Sequence, residues 1–391
     1  MSEPKPLPVS RREFLRTTTA GLAALSAFPS LAVLADDDPC ATLKRISDGW
    51  DKVARPMLAD QYHRLNHVLF HYVRNNWAGL ASDQQRRITD LGWGCPRPSL
   101  SRGTWDNQYN ALFWDTANYS GEDFLFYHRW MIKMVDDLLT AAGLPRLEAW
   151  SGTDAIPSPK RGCPDEFVPE FVPKFEDPET GKLTEVPWLT IRVQEIKSAS
   201  FYWDKMAWWG HEYRDHAYLR TIPLGVLGSR MELGVHNQMH IRWSAYPSNG
   251  WQGLRSEHDF TSKKWNDPGY DTLFDELSSH VTPIFFRLHR WIDNRINDWG
   301  EAHGLEQRVN ELGFPWFKTS EWVSVDKPWN GAYGLDHVTP EERRKRIEVM
   351  QKVGAILYEP KMNEKALRNL SISKRREERE GRIISLRDMI E

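Results

Sequence analysis

Two long segments of the sequence have apolar residues at helical spacing, and each carries a histidine in the middle of its apolar face. In residues 124–142 this histidine is His128, and in residues 283–299 it is His289. Apolar side chains that recur every three or four residues indicate a helix with one face in the core. A histidine on that face needs a partner, because an unpaired buried polar atom costs roughly 1–3 kcal/mol. The sequence therefore predicts core helices whose histidines bond either a carbonyl oxygen or a metal ion.

Long stretches without helix signals separate the predicted helices. Residues 93–118 and 145–190 are rich in proline, glycine and polar residues, which indicates loops, with at most short strands in the second. The 19 tryptophans suggest that such loops are packed by aromatic side chains. This pattern predicts a mainly α fold with long wrapping loops and little strand. The further predicted helices are residues 56–76, a helix beginning at Ser82, residues 231–241 and a helix beginning at Thr339-Pro340.

The first 35 residues are predicted to be an export signal. Arg11-Arg12 is followed by the uncharged apolar stretch 20–34, and the small residues before position 36 fit cleavage after Ala35. The stretch is shorter than the ~20 residues that span a bilayer, so no stable membrane anchor is expected. A twin-arginine signal predicts the twin-arginine translocase as a partner. It also predicts a periplasmic or secreted protein that is exported folded, often because a cofactor must be installed first.

The charge and the cysteine content bear on which partners and which kinds of metal site to expect. The formal net charge of −3 gives no reason to expect nucleic acid or an anionic membrane as a partner. The three cysteines, Cys40, Cys95 and Cys163, allow at most one internal disulfide and do not indicate a thiolate metal site.

After the predicted export signal, residues 36–359 are expected to form the functional domain, and residues 360–391 a charged tail.

Two further stretches place histidines four residues apart. His236 and His240 share one face of a predicted helix, where they could bind one ion, although this spacing alone is a weak signal. His63, His67 and His71 repeat in the same way on the first predicted helix, almost opposite its apolar face. Two readings explain that position. Either the histidines form a solvated stripe, or the helix is buried on two sides, with the core on one and a metal ion on the other.

Taken together, these stretches resemble ordered motifs of the type 3 copper proteins, the family of tyrosinases, catechol oxidases and molluscan haemocyanins. Residues 124–129 resemble F-L-x-W-H-R, which carries the last ligand of the family's first copper site. Residues 232–240 resemble E-x-x-x-H-N-x-x-H, which carries two ligands of the second site. Residues 283–293 resemble D-P-x-F-x-x-H-H-x-x-x-D, which carries the third. Residues 73–82 resemble the segment that opens these domains, so the resemblance covers roughly residues 73–300.

The resemblance implies a tyrosinase-like four-helix bundle that holds two copper ions and oxidises phenols or catechols to quinones with dioxygen. The substrate would be a phenolic or catecholic small molecule or peptide, and a copper chaperone is a further candidate partner. Arthropod members of the wider class use an H-x-x-x-H pair in the first site, so His67 and His71 are candidates there. Asn237 matches an Asn that helps a nearby Glu to deprotonate the phenol, and Glu195 is the candidate for that Glu. The implied copper ligands are His67, His71, His128, His236, His240 and His289.

The sequence departs from the family at the first site. The histidine that the family places about nine residues before the last ligand is Tyr119 here, and no histidine occurs between His71 and His128. If the first site is incomplete, one copper ion is expected. The alternatives are then a one-copper or non-catalytic protein that binds a phenolic or peptide ligand or assists a partner enzyme, or an oxygen-binding protein without turnover. The remaining histidines, His280 among them, are expected to be structural or surface residues.

Overall fold

The segments with apolar periodicity are helices in the structure. The computed structural model describes residues 49–99, 104–106, 111–113, 118–150, 168–176, 180–251, 254–255, 260–261, 263–305, 328–333 and 338–359. Of the described residues, 63% are helical and 3% are strand, which confirms the mainly α fold. The predicted export signal and the predicted charged tail lie outside the described residues.

Helices of very different length build the fold. Short 3-10 turns occur at Trp77–Gly79, Lys263–Asn266 and Ser279–Val281, and π-helical turns at Tyr202–Met206 and Glu232–His236. The α-helices are α1 Arg55–Leu58, α2 Gln61–Asn76, α3 Ser82–Asp90, α4 Gly121–Ala141, α5 Pro187–Lys197, α6 Ala199–Phe201, α7 Ala207–Glu212, α8 His216–Leu219, α9 Leu224–Met231, α10 Asn237–Arg242, α11 Pro283–Ala302 and α12 Pro340–Leu357.

Short strands lie within both stretches predicted as loops, and one further strand lies outside them. Strands β1 (Thr104–Asp106) and β2 (Ala111–Phe113) form an antiparallel pair. Strand β3 (Lys174–Glu176) pairs antiparallel with β4 (Leu183–Glu185) and parallel with β5 (Leu254–Arg255). The loop prediction is wrong in the first stretch, where β1 and β2 form a strand pair, and at the end of the second stretch, where α5 begins at Pro187.

The predicted helix 56–76 is divided into α1 and α2. The Asp60 side chain accepts a hydrogen bond from the Tyr62 amide at 2.7 Å, so Asp60 caps a new helix instead of continuing the first. The prediction of one continuous helix is therefore wrong at this point.

Helix α2 is buried on two sides. Every residue of α2 after Gln61 is buried. Leu65 and Leu69 belong to an apolar core shared with α12, whereas Phe70 belongs to the larger core formed by α4, α9 and α11. Of the two readings left open by the sequence, burial therefore excludes the solvated histidine stripe.

Helices α4 and α9 pack at close range because glycines lie at their contact. A Cβ atom at Gly121 would clash with the backbone of Ser229, and one at Gly228 would clash with the backbone of Gly121. Gly225 lies against Tyr119, whose φ of +59° is in the left-handed region. The glycine contact sets the distance between α4 and the chain that continues from α9 into the π turn.

Two ion pairs join α4 to α11, and each helix supplies the arginine of one pair and the aspartate of the other. Arg129 of α4 pairs with Asp293 of α11 at 2.5 Å, and Arg290 of α11 pairs with Asp136 of α4. These arginines directly follow His128 and His289 in sequence. Because a slip of one helix along the other would break both pairs, they fix the register that brings the two histidines together.

A π turn interrupts the helix that was predicted as continuous over residues 231–241. The chain runs as α9, then the π turn Glu232–His236, then α10. A π turn inserts an extra residue into a helical turn and is frequent at functional sites.

Among the described residues, no helix combines the length and hydrophobicity needed to cross a bilayer.

Candidate metal centre

Six buried histidines converge in the interior of the bundle. Each is at most 6% exposed. In two overlapping groups, the nitrogens that could bind a metal all lie within 4.8 Å of one another: one group is His67, His71 and His128, and the other is His128, His236 and His289. Each group could hold a metal ion, and His128 is common to both. The six histidines are His67 and His71 of α2, His128 of α4, His236 of the π turn, His240 of α10 and His289 of α11.

The six rings form one continuous cluster. On the first side, the ring centre of His71 lies 4.9 Å from that of His67 and 5.3 Å from that of His128. On the second side, the ring centre of His236 lies 4.3 Å from that of His240 and 4.9 Å from that of His289. The helical spacing of four residues therefore places both predicted pairs, His67 with His71 and His236 with His240, side by side.

Main-chain carbonyl groups hold the Nδ1 side of four of these rings. The bonds are 2.8 Å from His67 to Glu276, 2.8 Å from His128 to Phe124, 3.1 Å from His240 to Leu273 and 2.7 Å from His289 to Phe285. A carbonyl oxygen can only accept, so Nδ1 carries the proton in each ring. The Nε2 atom of each neutral ring is then left with its lone pair free.

In five of the six rings, the Nε2 atom has no hydrogen-bond partner among the described residues. The buried Nε2 atoms without such a partner are those of His67, His128, His236, His240 and His289. An unpaired buried acceptor costs free energy, and five of them at one place indicate that something else satisfies them. A ring that donates from one nitrogen and offers the other is the usual arrangement of a metal-bound histidine.

Burial keeps the cluster uncharged. Desolvation lowers the pKa of His67, His236 and His240 to about 3. It also lowers the pKa of His71, His128 and His289 well below 6.5, and the neighbouring histidines lower it further. At neutral pH the rings are therefore neutral, which is the form that binds metal ions.

Two phenylalanines enclose the rings. Phe124 lies 4.6 Å from His128 and 4.9 Å from His236 between ring centres. Phe285 stacks on His289 at 3.7 Å and lies 5.3 Å from His67. These apolar walls keep water from the nitrogens, so the lone pairs are not satisfied by bulk solvent.

The Nδ1 atom of His71 faces a carboxylate instead of a carbonyl group. It lies 3.7 Å from Glu232 Oε1. Glu232 is in turn bound by both terminal nitrogens of Arg74, at 2.5 and 3.0 Å, and Arg74 is fully buried. Glu232 lies in one of the resembling motifs, but its role could not be predicted because its partner Arg74 is distant in sequence.

Asn237 supports a histidine of the cluster. Its side-chain oxygen lies 2.9 Å from His236 Nδ1, and the carbonyl of Glu232 lies 3.2 Å from the same atom. Glu195, the sequence candidate for an assisting carboxylate, is exposed and pairs with Arg192 at 2.6 Å. Glu232, and not Glu195, is therefore the carboxylate that lies beside the histidines.

Two histidines outside the predicted set also lie close to the cluster. His280 is completely buried, donates from Nε2 to the Leu58 carbonyl at 3.0 Å and lies 4.7 Å from His67 between ring centres. His63, one turn before His67, is buried as well. His280 was expected to be a structural or a surface residue, and its burial excludes the surface. Its loop context in the sequence gave no sign of this burial.

Comparison with protein-family models and with curated proteins found no match to this chain.

The donor set limits which metals fit. Both groups offer imidazole nitrogens alone, without a carboxylate or a thiolate. Imidazole suits zinc, copper, iron and nickel, whereas magnesium and calcium need oxygen ligands. The orphaned Nε2 atoms and the absence of competing donors within the two groups therefore fit a transition-metal ion.

Proposed function

We propose that the chain is a copper-dependent oxidoreductase of tyrosinase type, which oxidises phenols or catechols to quinones with dioxygen. The observation that carries this proposal is the cluster of six buried, neutral histidines, which contains two overlapping groups of possible ligands and five unpaired Nε2 atoms. Among divalent first-row metals, copper binds such nitrogen sites most tightly. The three sequence motifs that resemble the type 3 copper family supply four of the six rings, and the pair His67 and His71 completes the set.

In this account each ion has three ligands. His67, His71 and His128 hold the first, and His236, His240 and His289 hold the second. When bound, a copper pair supplies reversible two-electron chemistry between an aromatic diol and dioxygen. In balance, a catechol loses two electrons and two protons to give an o-quinone, and half a molecule of dioxygen takes them up as water.

The residues around the histidines prepare this chemistry. The carbonyl acceptors fix the tautomer of each ring, so that no reorientation is needed when the metal arrives. Phe124 and Phe285 exclude water from the reacting centre. Asn237 holds His236 by its Nδ1 atom, and in the resembling family an Asn at this position also helps to deprotonate the phenol.

We also infer that the protein works outside the cytoplasm. The Arg11-Arg12 signature supports export through the twin-arginine translocase, and a copper chaperone is a candidate partner for loading. A buried metal centre suits this route, because the route carries proteins that are already folded. The substrate in that compartment would be a phenolic or catecholic small molecule or peptide.

Oxygen uptake tests the proposal. Copper-loaded protein should consume dioxygen when catechol is added, and the o-quinone absorbance should rise in step. His128→Ala removes a ring common to both groups and should abolish uptake. His211→Ala changes an exposed histidine and should leave uptake unchanged. Copper-loaded protein that neither consumes dioxygen nor forms quinone with any catechol or monophenol would contradict the enzyme.

A second candidate is a non-catalytic or one-copper relative that binds a ligand or dioxygen. The near-complete burial of the six rings favours it, because a bulky phenol needs more room than dioxygen. In that case dioxygen should bind reversibly to the copper-loaded protein, with no turnover of catechol. The copper content distinguishes a one-copper protein from a two-copper oxygen carrier.

A further inference from the structure

Glu232 makes polar contacts to both halves of the histidine cluster, one through its side chain and one through its main chain. Its carboxylate lies 3.7 Å from His71 Nδ1 on the first side. Its main-chain carbonyl lies 3.2 Å from His236 Nδ1 on the second. Glu232 begins the π turn that ends at His236, so the same turn presents the carbonyl to one ring and the carboxylate to another.

Arg74 fixes the carboxylate in this position. Its guanidinium binds both oxygens of Glu232 and donates to the Ser120 carbonyl at 2.8 Å. It also lies over the Phe70 ring, 4.8 Å from the ring centre. A two-point arginine–carboxylate contact leaves little rotational freedom. Ser120 directly precedes α4, and Arg74 follows His71 on α2, so the pair connects three of the chain segments that carry the cluster.

His71 differs electronically from the other rings. The Nδ1 atoms of His67, His128, His240 and His289 face neutral carbonyl groups. A carboxylate behind the ring makes the opposite nitrogen a stronger donor to a metal, and loss of such a contact usually costs 10–100-fold in metal affinity. The charge of Arg74, which is paired with the carboxylate, limits this effect.

We propose that Glu232 is a positioning residue shared by both metal sites. Through the charge of its Arg74-bound carboxylate, which lies 3.7 Å from Nδ1, it favours the tautomer of His71 that offers Nε2 to the first ion. Through its carbonyl group it orients His236 for the second. The inference rests on the proposed metal centre and adds that the first site depends on a charged contact that the second site lacks.

Copper(I) alone is the probe for this inference, with no phenol present. Folded protein is titrated against a chromophoric copper(I) chelator, and ring ¹⁵N shifts report the tautomer of His71 in the copper(I) form. In Glu232→Gln, affinity at the first site should fall about tenfold or more, while the second site changes less than about threefold. The His71 ring should lose its uniform Nδ1–H signature. Glu232→Asp, which keeps the charge, should recover part of the affinity.

Asp298→Asn is the matched control. It breaks the partly buried ion pair with Arg295 within α11, without a described contact to a ring of the cluster. It should lower the melting temperature but leave both copper affinities unchanged. Equal loss of affinity in Asp298→Asn and Glu232→Gln, or unchanged first-site affinity and an unchanged His71 signature in Glu232→Gln, would overturn the positioning role. Wild-type protein that binds no copper would instead reject the proposed function itself.

Discussion

His128 stacks on His289, with ring centres 4.3 Å apart and planes inclined by 21°. One ring ends the first resembling motif and the other belongs to the third, so residues more than 150 positions apart in sequence meet face to face. The ion pairs Arg129–Asp293 and Arg290–Asp136, one residue further along each helix, hold this register. The contact places the two candidate metal positions next to each other, as the proposed oxidation by a copper pair requires.

Removal of a single ligand should be visible in both metal content and stability. His240→Ala should lose at least one copper equivalent per chain, because His240 Nε2 is one of the unpaired nitrogens. Metal that binds only the folded state stabilises it, by about 2.7 kcal/mol at 100 times Kd. The rise in Tm on adding copper should therefore be smaller in this variant. Unchanged copper content and Tm would exclude His240 as a ligand, and His211→Ala serves as the exposed control.

The metal-free protein should lose stability as the pH falls from about 6.5 towards 3. Burial lowers the pKa of His67, His236 and His240 to about 3, whereas histidines of an unfolded chain titrate near 6.5. In this window the unfolded chain binds protons that the folded protein does not. The free energy of unfolding is therefore highest above pH 6.5 and falls below it.

Urea unfolding near pH 7.5 and near pH 5 measures this difference. His236→Gln removes one of the responsible groups, so its stability should depend less on pH than that of the wild type. If the wild type and this variant showed the same pH dependence, the buried, neutral state of His236 would be refuted.

The glycine contact between α4 and α9 should tolerate no side chain. In Gly228→Ala the added methyl group meets the backbone at Gly121, and such overpacking costs typically 1–3 kcal/mol. Because the contact sets the distance from His128 to the π turn, copper affinity should fall as well. Gly79→Ala is the matched control, since its Cβ would meet nothing within 4 Å. Equal stability of the two variants in urea would show that the helices can move apart without cost.

Export can be tested without any metal. Changing Arg11 and Arg12 together to Lys should trap unprocessed protein in the cytoplasm if the twin-arginine translocase is the carrier. Cell fractionation and the mass of the chain give the result. Normal processing and periplasmic recovery of the double variant would reject this route.

Much of the fold could be predicted because the long helices have clear apolar periodicity. The segments around His128 and His289 are helices over nearly the predicted ranges. Local chemistry set the boundaries that were missed, since Asp60 caps α2 from within a segment with continuous helical character. The π turn at Glu232 also has no signal in apolar spacing, because it depends on packing against other helices.

Part of the candidate site could be predicted for the same reason. Histidine spacing on single helices identified the pairs that share a face, such as His67 with His71. It did not reveal whether α2 is buried on its histidine side, which depends on the other helices that cover it. The Arg74–Glu232 pair and the burial of His280 depend on contacts between segments distant in sequence. Sequence spacing alone therefore missed the polar support of the cluster.

The copper content of the folded protein tests the central claim most directly. Metal-free protein is saturated with copper(I), loosely bound metal is removed by gel filtration, and copper per chain is measured by atomic absorption. The proposed assignment of three histidines to each ion predicts two copper ions per chain, and fewer than two in His128→Ala, because His128 is a proposed ligand of the first ion. One copper per wild-type chain, or none, would contradict the two-metal centre.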